Sequence, residues 1–380
     1  MNKITRRNFA RLAAALSVAP YLGTGSAIAH PFFQPQTPKP EKWPGYSKAI
    51  VVDFLASPGP FNTSEPFTSL SPEMVKNAVA SGITAVNLTI GGNQVEDFFR
   101  TIAMWEREMQ MHPESLMQIK TVDDLKKAKE TKRLGIIYGF QDCTIIGTDL
   151  NRVQLFRSFG VQIMQLTYNV RNQFADGCLV PDDQGLNPFG HDLVAELNKQ
   201  KVIVDLSHCS TKTTSDGIKA SKAPVAISHS GCKAVADFPR SKRDEELKLM
   251  ADNGGVIGIY LMPFLAKGRA PSDDDVIQHI EHAVKVCGED HVGIGSDLSI
   301  TPHNVTEAYK KSHAEFVRGR KARGIAAPGE DENIFMFVPE LNQPNRMELI
   351  ADKLLAKGHK EATVEKIVGG NFVRLMKEVW

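Results

Sequence analysis

Eight short apolar runs constrain this chain more than any other feature. They are Ala49–Ser57, Ile83–Ile90, Leu134–Asp142, Val161–Asn169, Val202–His208, Pro224–Ser230, Val256–Pro263 and Val292–Ser299. Most of the segments between them repeat their apolar residues at helical spacing: Pro72–Ala80, Val122–Thr131, Asp149–Phe159, Phe189–Gln200, Asp244–Asn253 and Val276–Cys287. The polar stretch after Cys209 opens on Ser and Thr capping residues and is also compatible with helix. The runs are continuously apolar rather than alternating, as strands are when helices cover one face and a barrel interior the other. Eight strands alternating with helices predict an α/β fold, a (β/α)8 TIM barrel. An open doubly wound sheet is the alternative, but no Gly-x-Gly-x-x-Gly follows a strand, so nothing supports a dinucleotide site.

A chain of 380 residues, 42% of them hydrophobic, can bury such a core and carry additions. Its formal charge of +1, with acids and bases interspersed, gives no nucleic-acid footprint. No internal apolar run approaches the roughly 20 residues of a membrane span. Residues 1–29 read as a targeting segment: Thr5-Arg6-Arg7-Asn8-Phe9, an apolar stretch from Leu12 to Leu22, and the small-residue site Ala27-Ile28-Ala29. The paired arginines are those of a twin-arginine signal, so a periplasmic or otherwise exported protein, cleaved near Ala29, is expected. Residues 30–47 form a proline-rich lead-in, expected to be extended and without a core, and 48–380 form the barrel domain. Gly91–Lys120 is expected to add a helix on the second crossover, and Thr301–Arg346, after the eighth strand, is long enough for a lid. The tail from Met347 to Trp380 reads as two amphipathic helices that close the barrel bottom or pack on a partner in a homodimer. Five cysteines are too few for a disulfide framework; they read as buried small residues, with a single bridge such as Cys209–Cys232 or Cys143–Cys178 as the alternative.

In a parallel barrel the carboxyl ends of the strands share one rim, where reactive side chains from different strands converge. Two neighbouring strands here each end in Ser-His, at His208 and His229, which could take one metal ion. Gln141 and Asp142 (third strand), Tyr168 and Asn169 (fourth) and Asp297 (eighth) join them on that rim. Asp297 is a candidate metal ligand or proton acceptor. Arg240, just past the sixth strand, could clamp a substrate carboxylate with its bidentate fork. Lys242, Arg243, Asp244 and Glu245 read as a solvated charge run, and His303 and His313 as surface residues.

VDLSH, ISHSGC, FPRSKRDEEL, NGGVIGIYLMPFL and DHVGIGSDLS, in this order, resemble the membrane (renal-type) dipeptidase family, M19, of the amidohydrolase superfamily. QLTYNVRNQFADGC and GLNPFGHDLVAELN fit as well, so the resemblance runs from about Ala49 to the C-terminus. It implies a metal-dependent barrel hydrolase of dipeptides in which two zinc ions share a bridging carboxylate. His208 and His229 match the histidines of the second metal, Asp297 the strand-eight aspartate, and Arg240 the arginine that holds the substrate carboxylate. The chain departs from the family at the first-strand His-x-Asp pair, where it has Leu55 and Ser57. It departs again at the bridging glutamate, which is Gln141, and at a fourth-strand histidine, which is Tyr168. The expectation is therefore one divalent ion at most, most simply zinc, on His208 and His229 with help from Asp297, Gln141 or Asp142. The substrate expected is a dipeptide or similar small amide. The alternatives are an enzyme maturing a peptide-derived small molecule such as a siderophore precursor, or a catalytically inactive dipeptidase-like binding protein. With Tyr168 and Asn169, Arg240 forms the expected substrate-binding set.

Overall fold

A computed structural model describes residues 42–63, 67–92 and 94–380, so the targeting segment and most of the lead-in lie outside the described residues. Eight parallel strands form the staves of a barrel: β1 (Val52–Asp53), β2 (Ala85–Thr89), β3 (Leu134–Phe140), β4 (Val161–Gln165), β5 (Ile203–Asp205), β6 (Ala226–Ser230), β7 (Val256–Ile259) and β8 (Val292–Ile294). Each pairs with the next in sequence order. The seam between β8 and β1 closes just above them, where Ala56–Ser57 pairs with Leu298–Ser299 in register Ala56↔Leu298. The Phe54 amide also donates to the Ile294 carbonyl at 3.0 Å. All eight predicted strands are present, so the (β/α)8 reading holds. A short strand the periodicity did not single out, Leu116–Gln118, pairs with the first half of β3.

The helices begin where the sequence places caps. Ser71 accepts from the Met74 amide ahead of Pro72–Ala80, Thr121 and Asp124 form a capping box for Val122–Thr131, and Ser210 caps Thr211–Ala220. Val95–Met111 is the extra helix expected on the second crossover. The last part of the lead-in does pack: Trp43 and Tyr46 are buried in the main core, and the Trp43 amide donates to Asp352 at 2.7 Å. Two large aromatic residues supply enough apolar area to hold a segment that composition alone reads as extended.

A second apolar cluster gathers one residue or more from seven staves: Val52, Ala85, Ile137, Ile163, Ile203, Ala226 and Val256. The eighth stave offers Gly293, whose missing side chain is a necessity, since a Cβ there would lie 2.4 Å from the Phe372 ring. Phe372, on the C-terminal helix Asn371–Val379, stacks on Phe54 with centroids 3.7 Å apart. The tail therefore closes the amino-terminal end of the barrel, and Arg374 bonds the carbonyls of Gly254 and Asp290 beside it. All five cysteines are free thiols.

Candidate active site at the carboxyl rim

The two histidines that end neighbouring strands meet. Their Nε2 atoms lie 2.9 Å apart, and both rings are buried. His208 directs Nδ1 at the Asn169 side-chain oxygen (2.6 Å), and His229 directs Nδ1 at the Ser228 hydroxyl (2.7 Å). Tyr168 stacks on the His208 ring at 4.1 Å. Burial, and then the charge of Arg240, hold both imidazoles well below the ordinary histidine pKa. The Gln141 amide nitrogen stands 3.4 Å from His229 Nε2.

Behind the pair lies Asp205, fully buried, which accepts from the amides of Ser207 and Ser228 and from the Ser207 hydroxyl, and shares a hydrogen bond with the Ser228 hydroxyl. Its place was readable in the sequence only as the third residue before His208. Ser207 and Ser228 precede the two histidines, so the repeated Ser-His step builds a joint anchor as well as a pair of rings.

Asp297 sits on the seam. Its amide donates to the Leu55 carbonyl (2.7 Å) and its carbonyl accepts from Asn62 (2.7 Å). These bonds hold it at φ 62°, a left-handed conformation that few non-glycine residues adopt, aspartate more readily than most. Burial raises its carboxyl from the ordinary 3.8 to about 7, against the lowering effect of Arg240 and Arg320. Directly beneath, Asp53 accepts from the Ser296 amide and hydroxyl, fixing the residue before Asp297.

A narrow cavity of about 10 Å³ joins these parts: Asp297, His208, Arg240, Tyr168, Asn169 and Arg320 all line it. Arg240 is 2% exposed and donates to the carbonyls of Ser207 and His229, yet no carboxylate of the described residues lies within ion-pair distance of it. Arg320 and Glu330 come from the insertion after the eighth strand. They form a two-bond pair (2.6 and 2.9 Å), and Arg320 also reaches the Tyr168 hydroxyl at 3.3 Å. With Asn169 bonded to the Ile325 carbonyl, this insertion roofs the pocket. Nothing in the sequence set Arg320 apart from Arg318 and Arg323 beside it.

Other expectations need correction. Asp142 faces away from the histidines and accepts from the Tyr168 amide (2.7 Å), bracing the third and fourth strand ends. Lys242 is buried, not solvated, with its ammonium on the Cys209 carbonyl and the Thr214 hydroxyl. His313 is buried as well, held by the carbonyls of Asp331 and Ile334.

A parallel barrel with a histidine pair, a buried carboxyl and a guanidinium on its carboxyl rim has the architecture of the amidohydrolase-type hydrolases. The family model of membrane dipeptidase, peptidase family M19, matches residues 67–319, and the chain belongs to that family. A dipeptidase of Claviceps purpurea, tcpJ, is 27% identical over 75% of this chain and 60% of its own. An uncharacterized dipeptidase of Schizosaccharomyces pombe is 31% identical over 55% of this chain and 52% of its own, so the chain spans little more than half the length of these relatives. Among solved structures, an amidohydrolase from Pseudomonas aeruginosa superimposes with a TM-score of 0.75 at 29% identity, covering 88% of this chain and 98% of that one.

The family implies a divalent metal, and the donors at this rim do not fit one. Among the described residues no group of three or more His, Cys, Asp or Glu side chains converges on a metal position, whereas zinc takes three or four protein ligands. Two imidazoles meet, Gln141 brings a neutral amide, and Leu55 is buried with no donor to offer.

Proposed function

We propose that the protein is a hydrolase of a small amide ending in a carboxylate, a dipeptide being the simplest such molecule. We further propose that it works outside the cytoplasm after removal of residues 1–29. The observation that carries this reading is Asp297, a buried carboxyl near pKa 7 that shares a pocket with a guanidinium lacking a carboxylate partner. A buried guanidinium gains most from a ligand that brings the missing negative charge, and the planar fork suits a carboxylate. Arg240 holds the substrate's carboxylate. Ionised Asp297 takes a proton from water as the oxygen attacks the carbonyl carbon. The proton then passes to the amine nitrogen as the C–N bond breaks. The cavity of about 10 Å³ under Ala327 and Met336 is too small for a dipeptide, so this roof has to shift for the substrate to enter.

The test is hydrolysis of a dipeptide panel by the mature protein across pH 5 to 9. Because the ionised form of Asp297 is the active one, activity should rise with pH through about 7 and then level. Asp297→Asn should lose on the order of a hundredfold or more of that activity. Undiminished cleavage by Asp297→Asn would sink the proposal. A second reading, a dipeptide-binding protein without turnover, is favoured by the missing metal donors. Calorimetric binding of a dipeptide that Arg240→Met abolishes, with no cleavage at any pH, would establish it.

A further inference from the structure

The gap between the two histidines has to contain something. At 2.9 Å, two imidazole nitrogens that both point lone pairs at each other repel, so either a hydrogen or a metal ion lies between them. The hydrogen-bond partners on the far side of each ring say which protons are already placed. Asn169 donates its amide nitrogen to the Ile325 carbonyl at 2.8 Å, so its oxygen is the atom facing His208 Nδ1, and that nitrogen must carry a hydrogen. Neutral His208 therefore has a bare Nε2.

From there the chain has two consistent assignments. In one, His229 carries its hydrogen on Nε2 and donates it to His208. Ser228 then donates to His229 Nδ1, and Asp205 is the protonated acid that donates to Ser228. In the other, His208 is doubly protonated and donates to His229 Nε2. His229 Nδ1 then donates to Ser228, and Ser228 donates to ionised Asp205. The two differ only by a concerted shift along one line of atoms, and each leaves one hydrogen between the two Nε2 atoms. At 3.4 Å the Gln141 amide is too distant to compete with the 2.9 Å partner.

A metal ion in the same gap would need both Nε2 atoms bare and further donors at their side. Among the described residues no third His, Cys, Asp or Glu joins them, and Arg240 and Lys242, whose charges act on both rings, are cations that repel a second positive charge. We infer that His208 and His229 are joined by a shared hydrogen in place of the family's metal. On this view they form the inner end of a hydrogen-bonded line, Asn169–His208–His229–Ser228–Asp205, and Ser228 and Asp205 act as positioning residues for the pair. The inference does not depend on which substrate the pocket takes.

Metal analysis and nitrogen NMR of the full chain test it. Protein purified without chelator, and again after incubation with zinc and dialysis, should hold well under one ion per chain. Any residual metal should persist in His229→Ala. Histidine-labelled protein should show one protonated and one bare Nε2 across the pair, and Ser228→Ala should shift the His229 Nδ1 resonance while His208 Nδ1 keeps its hydrogen. About one zinc per chain in the wild type that disappears in His229→Ala overturns the inference. So does a spectrum with both Nε2 atoms bare, and this second measurement decides the matter on wild-type protein even if the alanine variant does not fold.

Discussion

Ionising Asp297 should cost this fold stability, and the cost can be isolated with one substitution. The carboxyl goes from 3.8 in the ordinary state to about 7 in the folded one. The folded protein therefore binds the proton more tightly than the unfolded chain. Its contribution to stability is complete below pH 3.8 and is lost as pH rises towards and through 7. At about 1.36 kcal/mol per unit, the loss is roughly 1.6 kcal/mol by pH 5 and about 4 kcal/mol by pH 8. Asp297→Asn removes the titration while keeping size, and asparagine tolerates the left-handed φ of 62° at least as well as aspartate. Both backbone bonds, to Leu55 and from Asn62, survive the change. The variant should therefore be more stable than wild type, with the difference growing by about 2.5 kcal/mol between pH 5 and pH 8. Urea unfolding of both proteins at the two pH values, followed by tryptophan fluorescence, measures that difference. Other titrating groups cancel in the comparison. A stability difference that does not change with pH would show that Asp297 is ionised at both values, and the reasoning about its burial would fail.

Further perturbations follow from the packing. Phe372→Ala opens the floor of the barrel beside Phe54 and should cost about 3–5 kcal/mol in chemical unfolding. Indifference there would mean the tail is not the plug. Arg240→Met should weaken binding of a carboxylate-bearing dipeptide by about a hundredfold or more in calorimetry, while a dipeptide amide is bound equally by both proteins. Reductant should leave the melting temperature unchanged, because the five thiols are free; a drop on reduction would reveal a bridge. The triple change Leu55→His, Ser57→Asp and Gln141→Glu should raise metal content towards two ions per chain by elemental analysis. Unchanged content would show that the first or third strand has been matched to the family out of register.

The staves were legible because buried parallel strands carry continuous apolar runs, and their helices because Ser71, Thr121 and Ser210 cap where a capping residue is expected. The rim followed, since the residue after a strand end is fixed once the strand is: His208, His229, Tyr168, Asn169 and Asp297 needed only the count of staves. Arg320, Glu330 and Asn62 were not legible. Glu330 and Asn62 reach the pocket from irregular segments, where no period ties sequence position to direction, and Arg320 lies on the helix Glu307–Ala322 with Arg318 two residues before it. Asp142 and Lys242 were misjudged for a related reason. A charge near a strand end can face solvent, substrate or backbone, and only the path of neighbouring loops decides among them.

The bonds that Asp297 donates to Leu55 and accepts from Asn62 tie the eighth stave to the first across more than two hundred residues of chain. Those contacts are among the longest-range in the molecule and carry the steepest entropic cost of formation, so they are expected to form late in folding. A cylinder with its last join unmade keeps nearly all of its secondary structure but lacks the carboxyl proposed as its acid–base group. Circular dichroism would not detect that species, whereas a turnover assay would. Regain of activity after refolding should therefore lag behind regain of ellipticity, and the lag would report the zipping of one join.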